Sequence, residues 1–216
     1  MKDKIIRISV ALLLSFGFAT SSQATLVTVN MTADNSFFGG LCFDSSCTGG
    51  TQWEILNSGP LANINNWTQS DSVTIDLGAG THYFAWLISN DGEPTDGNPA
   101  ALLAEILWDG NANYSSSAWE VCESGEGLDC SGSLTNATEY GFNGDPNIWT
   151  DVNGGNPVSG ISTNANWIYT ANNFADADPQ AAIRTSITIG AVPEPSIIAL
   201  FALGLFGLGF ARRRKA

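Results

Sequence analysis

The chain is 216 residues long and carries 21 acidic against eight basic residues, a net charge of −13. Three of the basic residues precede Ala24 and four follow Ala211, leaving Arg184 alone between them; setting aside Asp3 and Glu194, 19 acids share that interior, which stands near −18. That balance excludes ordinary nucleic-acid binding, where cations displace counterions from phosphates, and disfavours docking on anionic lipid.

The first segment reads as an export signal. Lys2, Lys4 and Arg7 form a charged head, Ile8 to Ala19 is mostly apolar, and Ser22-Gln23-Ala24 places small residues where a signal peptidase cuts. The apolar core is too short for a comfortable transmembrane helix. Residues 1–24 are therefore expected to be a signal peptide, removed after Ala24.

Residues 25–191 form the exported body, roughly 168 residues, enough for one domain with a proper core. Strand-like runs follow in order: Leu26–Met31, Ser36–Phe43, Gln52–Leu56, Ser72–Leu77, His82–Ser89, Leu102–Trp108, Trp167–Thr170 and Ile183–Ile189. They are rich in Val, Ile, Thr and aromatics, with Gly, Asn, Asp and Pro clusters between them. Ser72–Leu77 alternates cleanly, so one face is wet and the other packed. From Ala112 to Asn166 the chain turns Ser/Gly/Asn-rich and reads as long loops with short edge strands. The predicted class is all-β, a single jelly roll or β-sandwich.

Four cysteines fall as two local pairs, Cys42/Cys47 and Cys122/Cys130. Outside the cytoplasm such pairs are expected to oxidise, each closing a small loop. Zinc is disfavoured, because neither pair has Cys-x-x-Cys spacing and His82 is the only histidine. That histidine sits in a strand-like run with no Gly-x-Ser-x-Gly elbow anywhere, so serine hydrolysis finds no support. Asp91, Glu93 and Asp96 offer hard oxygen ligands of the kind calcium takes, without the spacing of an EF-hand loop; a solvated acidic turn is the plainer account. Among seven tryptophans, Trp67, Trp119 and Trp149 lie in polar stretches and are the candidate glycan platforms, although structural packing accounts for such rings more often.

Several runs in the body carry a resemblance. Thr32-Ala33-Asp34-Asn35-Ser36-Phe37, Phe84-Ala85-Trp86, Asn98-Pro99-Ala100-Ala101-Leu102-Leu103-Ala104-Glu105-Ile106, and the late Ala165-Asn166-Trp167-Ile168-Tyr169 and Ile183-Arg184-Thr185-Ser186-Ile187 fall in a shared order. That order is similar to galactose-binding-like jelly rolls of secreted bacterial proteins. The Cys42–Cys47 excursion replaces the hairpin that follows Phe37 in those domains, so no ligand residue is carried over. The resemblance implies a fold, and fold does not imply function.

The chain closes on Pro193-Glu194-Pro195, an uncharged run of sixteen residues from Ser196 to Ala211, and Arg212-Arg213-Arg214-Lys215. As a helix that run would span about 24 Å, short of the ~30 Å hydrocarbon core. Glycines at 204, 207 and 209 weaken it further, so it suits a temporary anchor. Basic flanks stay cytoplasmic, which puts the body on the outer side of the inner membrane. The trio over residues 192–216 resembles a PEP-CTERM sorting domain, the tail read by exosortase-type transpeptidases. The resemblance implies a Gram-negative bacterium, tail removal near Pro193–Pro195 and delivery to the surface or matrix.

The expected function is that of a non-enzymatic surface or matrix protein contacting exopolysaccharide. A matrix component with no ligand site and a carbohydrate-active enzyme using paired carboxylates are the alternatives. Signal peptidase and the transpeptidase are the expected processing partners; no cofactor is expected, a structural calcium being the alternative to a solvated acidic turn.

Overall fold

The computed structural model describes residues 24–57, 59–89, 100–123, 128, 134–146, 155–171 and 180–191. Through them run β1 (Thr25–Asp34), β2 (Ser36–Cys42), β3 (Gly50–Gln52), α1 (Trp53–Leu56), β4 (Asp71–Leu77), β5 (Gly80–Ser89) and β6 (Ala101–Trp108). These are followed by β7 (Asn111–Tyr114), β8 (Glu120–Glu123), β9 (Thr135–Asn136), β10 (Thr138–Phe142), β11 (Asn166–Tyr169) and β12 (Gln180–Ile189). The expected signal and tail helices lie outside the described residues. Among those described, no helix is long and apolar enough to cross a membrane.

Two antiparallel sheets result. The first runs β10-β11-β6-β1-β4 with β7 also on β6; the second runs β3-β2-β5-β12-β8-β9. Each chain segment explains its place by alternation. In β4, Val73, Ile75 and Leu77 are buried while Ser72, Thr74 and Asp76 are exposed. Its register on β1 sets Val73 opposite Val29 and Ile75 opposite Val27, so one apolar face is continuous across both strands. β6 is buried through Ala101–Ile106, as a strand flanked by neighbours and covered on both faces should be. Side chains from both sheets share one core, with Val29 and Met31 of β1 meeting Phe84, Trp86 and Ile88 of β5. The Trp86 indole N–H donates to Met31 Sδ at 3.2 Å, joining the sheets directly.

The run Gln52–Leu56 is not one strand as the sequence suggested. The strand ends at Gln52 and Trp53–Leu56 forms a single helical turn. The reason is Trp53, which is buried and stacks 6.2 Å from Phe84 and 5.4 Å from Trp86. Turning the chain there sinks the indole into the core, where a continuing strand would leave the ring on one side of a sheet edge. In the Ser/Gly/Asn-rich stretch, β7 to β10 are the expected short strands, yet β8 lies inside the second sheet between β12 and β9.

Buried polar groups tie the loops to this frame. Ser115 completes the ladder between β6 and β11: its hydroxyl accepts from the Ala104 N–H at 3.1 Å and donates to the Asn166 carbonyl at 2.6 Å. Glu105 accepts from Asn30 Nδ2 at 2.8 Å and from the Ser162 N–H at 3.0 Å. Asn143 donates to the carbonyls of Val158 and Ile161 at 3.1 and 2.8 Å and accepts from the Val158 N–H at 2.7 Å. This clamp presses Val158 and Ile161 into the core. Asn143→Ala would strand three buried backbone groups, and is expected to cost about 2–4 kcal/mol. For a domain of this size that is a fall of roughly 4–16 °C in Tm, read by thermal unfolding of the exported protein.

Candidate functional site

The outer face of the second sheet carries the depressions that the fold leaves open beside its core. Residues alternate across β2, β5 and β12, so those facing the core leave Phe38, Gly40 and Cys42, then Tyr83, Ala85 and Leu87, then Ala182, Arg184 and Ser186 on the far side. The register aligns Gly40, Ala85 and Arg184 in one row and Cys42, Tyr83 and Ser186 in the next. Small residues in the first row make a trough. β2 and β3 approach so closely here that a Cβ on Gly40 would stand 2.0 Å from the Thr51 carbonyl oxygen, and one on Gly50 would stand 2.3 Å from that of Leu41. Only glycine fits at either position.

The Cys42–Cys47 loop and Leu128 meet over this trough. The disulfide Cys42–Cys47 folds its loop back onto the sheet, burying Cys47 against Ala85 together with Tyr83 and Leu128. Within the loop Asp44 accepts from the Ser46 hydroxyl and, at 2.8 Å, from the Ser46 N–H. These bonds, the side-chain one first, hold the Asp44 carboxyl below its usual range, so it stays ionised. From the other side Arg184, almost fully buried, donates from Nε at 3.0 Å and from Nη2 to the Leu128 carbonyl. The body's single Lys or Arg is therefore spent, in part, on fastening a neighbouring loop to the sheet.

Cys47 lines two depressions at this face. One, of about 300 Å³, is floored by Gly40 and Gly50 and bordered by Phe38, Thr48, Thr51 and Gln52. The other, of about 430 Å³, is lined by Ser45, Tyr83, Asn113, Glu120, Arg184 and Ser186 among others. Asn113 is internally committed: its amide donates to Thr185 Oγ1 at 3.1 Å and to the Ser186 carbonyl at 3.2 Å, and its oxygen accepts from the Trp119 indole at 2.9 Å.

The candidate residues read from sequence scatter. Trp119 is only 2 % exposed and stacks on Trp86 at 5.2 Å, so it presents no open ring face and belongs to the core. Trp67 is half-buried and meets Trp167 edge-on at 6.3 Å. Its polar neighbours in sequence conceal a contact made across a hundred residues. Trp149 lies outside the described residues, as do Asp91, Glu93, Asp96, Cys130, Ser22, Pro193–Pro195 and Arg212–Lys215; Ala24 is exposed. Cys122 is disulfide-bonded. Among the described residues no three His, Cys, Asp or Glu side chains converge as metal ligands would. Phe38, Thr51 and Gln52, which line the smaller depression, are not among the residues singled out from sequence, although Phe37-Phe38 in a strand signals that one ring faces out.

Past β12 the chain enters its tail. Residues 191–215 match the PEP-CTERM protein-sorting motif. That match covers the Pro-Glu-Pro, the apolar run and the basic cluster, and it marks an exported protein sorted at a membrane and targeted to an exosortase. Neither a curated protein nor a solved structure matches the chain.

Proposed function

We propose that this is an exosortase-processed surface or extracellular-matrix protein of a Gram-negative bacterium, whose non-catalytic sandwich associates with exopolysaccharide through the outer face of the second sheet. The PEP-CTERM motif over residues 191–215 is the observation that carries the proposal. It is anchored in the inner membrane transiently, with the body on the periplasmic side, until the tail is removed. The body is read as a galactose-binding-like jelly roll, which its two antiparallel sheets support. Association through the outer face is supported by two adjoining depressions, the smaller lined among the described residues by uncharged groups and the larger by polar groups together with Arg184 and Glu120. Glycoside hydrolysis requires two opposed carboxylates. Glu120 is the one carboxylate among the described residues lining either depression, which supports a binding role over a catalytic one.

The test is retention of the exported protein on exopolysaccharide isolated from the producing cells, with and without EDTA. Retention is expected in both conditions. Loss on chelation would favour the calcium alternative at Asp91, Glu93 and Asp96. No retention in either condition would remove the glycan contact, and the protein would then be a matrix component without a ligand site.

A further inference from the structure

We infer that the smaller depression is a subsite for an uncharged sugar ring, with Phe38 and Phe43 as its apolar faces; the inference rests on the reading of this sheet face as a polysaccharide contact. Charge is the first observation. In a body near −18, none of the described residues lining this depression carries a charge, whereas the neighbouring depression holds Arg184 and Glu120. Among the described lining residues a cation would find no carboxylate, and an acidic sugar would approach against the field of the whole body.

The second observation is aromatic. Phe38 is 41 % exposed in mid-strand, and Phe43 is 78 % exposed on the disulfide loop. Phe43 lies beside the same hollow: a Cβ on Gly49, one of the lining residues, would stand 3.2 Å from its Cδ2. Two exposed apolar rings thus border one glycine-lined hollow. The C–H faces of a sugar ring would cover them. The floor, bare of side chains, leaves room for a flat ring.

Hydrogen bonding is the third. Among the described residues the Gln52 amide, paired with Gly40 on this face, makes no side-chain hydrogen bond, and it is both donor and acceptor. Neutral groups of this kind match hydroxyls, which also donate and accept. The volume, about 300 Å³, sits at the small end of ligand sites, which run from roughly 300 to 1,000 Å³, and so suits a ring or two of a longer chain.

The experiment uses the exported, processed protein and its Phe38→Ala, Phe38→Tyr and Phe43→Ala variants in affinity electrophoresis through gels containing a neutral glucan, a neutral galactan or polygalacturonate. Retardation is expected in a neutral gel and not in polygalacturonate. Phe38→Ala is expected to weaken it about tenfold, Phe43→Ala by less, and Phe38→Tyr hardly at all. Because both rings are exposed, the melting temperatures of the variants stay near that of the parent. Retardation by polygalacturonate alone would overturn the inference and leave the polysaccharide contact standing. Retardation in a neutral gel unchanged by Phe38→Ala would overturn it as well. Absence of retardation in all three gels, together with no retention on the cells' own exopolysaccharide, would remove the contact on which it rests.

Discussion

Trp86→Ala is expected to cost the exported body about 3–5 kcal/mol of stability. Trp86 is fully buried at the centre of an aromatic stack, 5.4 Å from Trp53, 6.5 Å from Phe84 and 5.2 Å from Trp119. Its indole N–H reaches Met31 on the opposite sheet, so the truncation removes volume and a contact between the layers together. Three aromatic neighbours, each fixed by its own strand or turn, leave little freedom to collapse into the hole. Since domains of this kind are stable by only about 5–15 kcal/mol, the variant is left marginal. The corresponding fall in Tm is roughly 6–20 °C. Near-ultraviolet circular dichroism should lose amplitude with it, because the stacked indoles dominate the aromatic signal. Trp86→Phe, which keeps most of the volume, is expected to cost clearly less.

The second large effect is on sorting. Replacing Pro193, Glu194 and Pro195 together with alanine is expected to abolish tail removal and to hold nearly all of the protein in the membrane fraction. Proline fixes its own φ and pushes the residue before it toward an extended conformation, so the Pro-Glu-Pro sequence is expected to keep Glu194 out of a helix. Alanines would instead let the helix expected from Ser196 onward extend upstream. The junction before the motif is open: Gly190 and Ala191 are both exposed. Neutralising Arg212–Lys215 is expected to impair the same event, by removing the charge proposed to orient the apolar run. Fractionation followed by immunoblotting distinguishes retained from released protein in both cases.

What the sequence made legible follows from the range of the physics involved. The tail is a linear signal, with every part adjacent to the next, and Pro193 to Lys215 could be read without any fold. The Cys42–Cys47 bridge, with a sequence separation of 5, is nearly as local. Alternation revealed β4 for the same reason. Trp119 misled because its neighbours Ser116, Ser117 and Glu120 are polar, while the ring it packs on is Trp86, in a different strand. Trp53 misled because a one-turn helix of Trp-Glu-Ile-Leu carries no period of its own. The trough on the second sheet was hidden altogether. It arises only when β2, β5 and β12 come into register, bringing Gly40, Ala85 and Arg184 from positions far apart in the chain into one row.

The account turns on the tail being a removable address. Intact-mass analysis of the protein released from a host that carries an exosortase tests it most directly. The predicted species begins at Thr25 and ends at or near Pro193–Pro195, without the apolar run. A released protein still carrying Arg212–Lys215 would contradict the account.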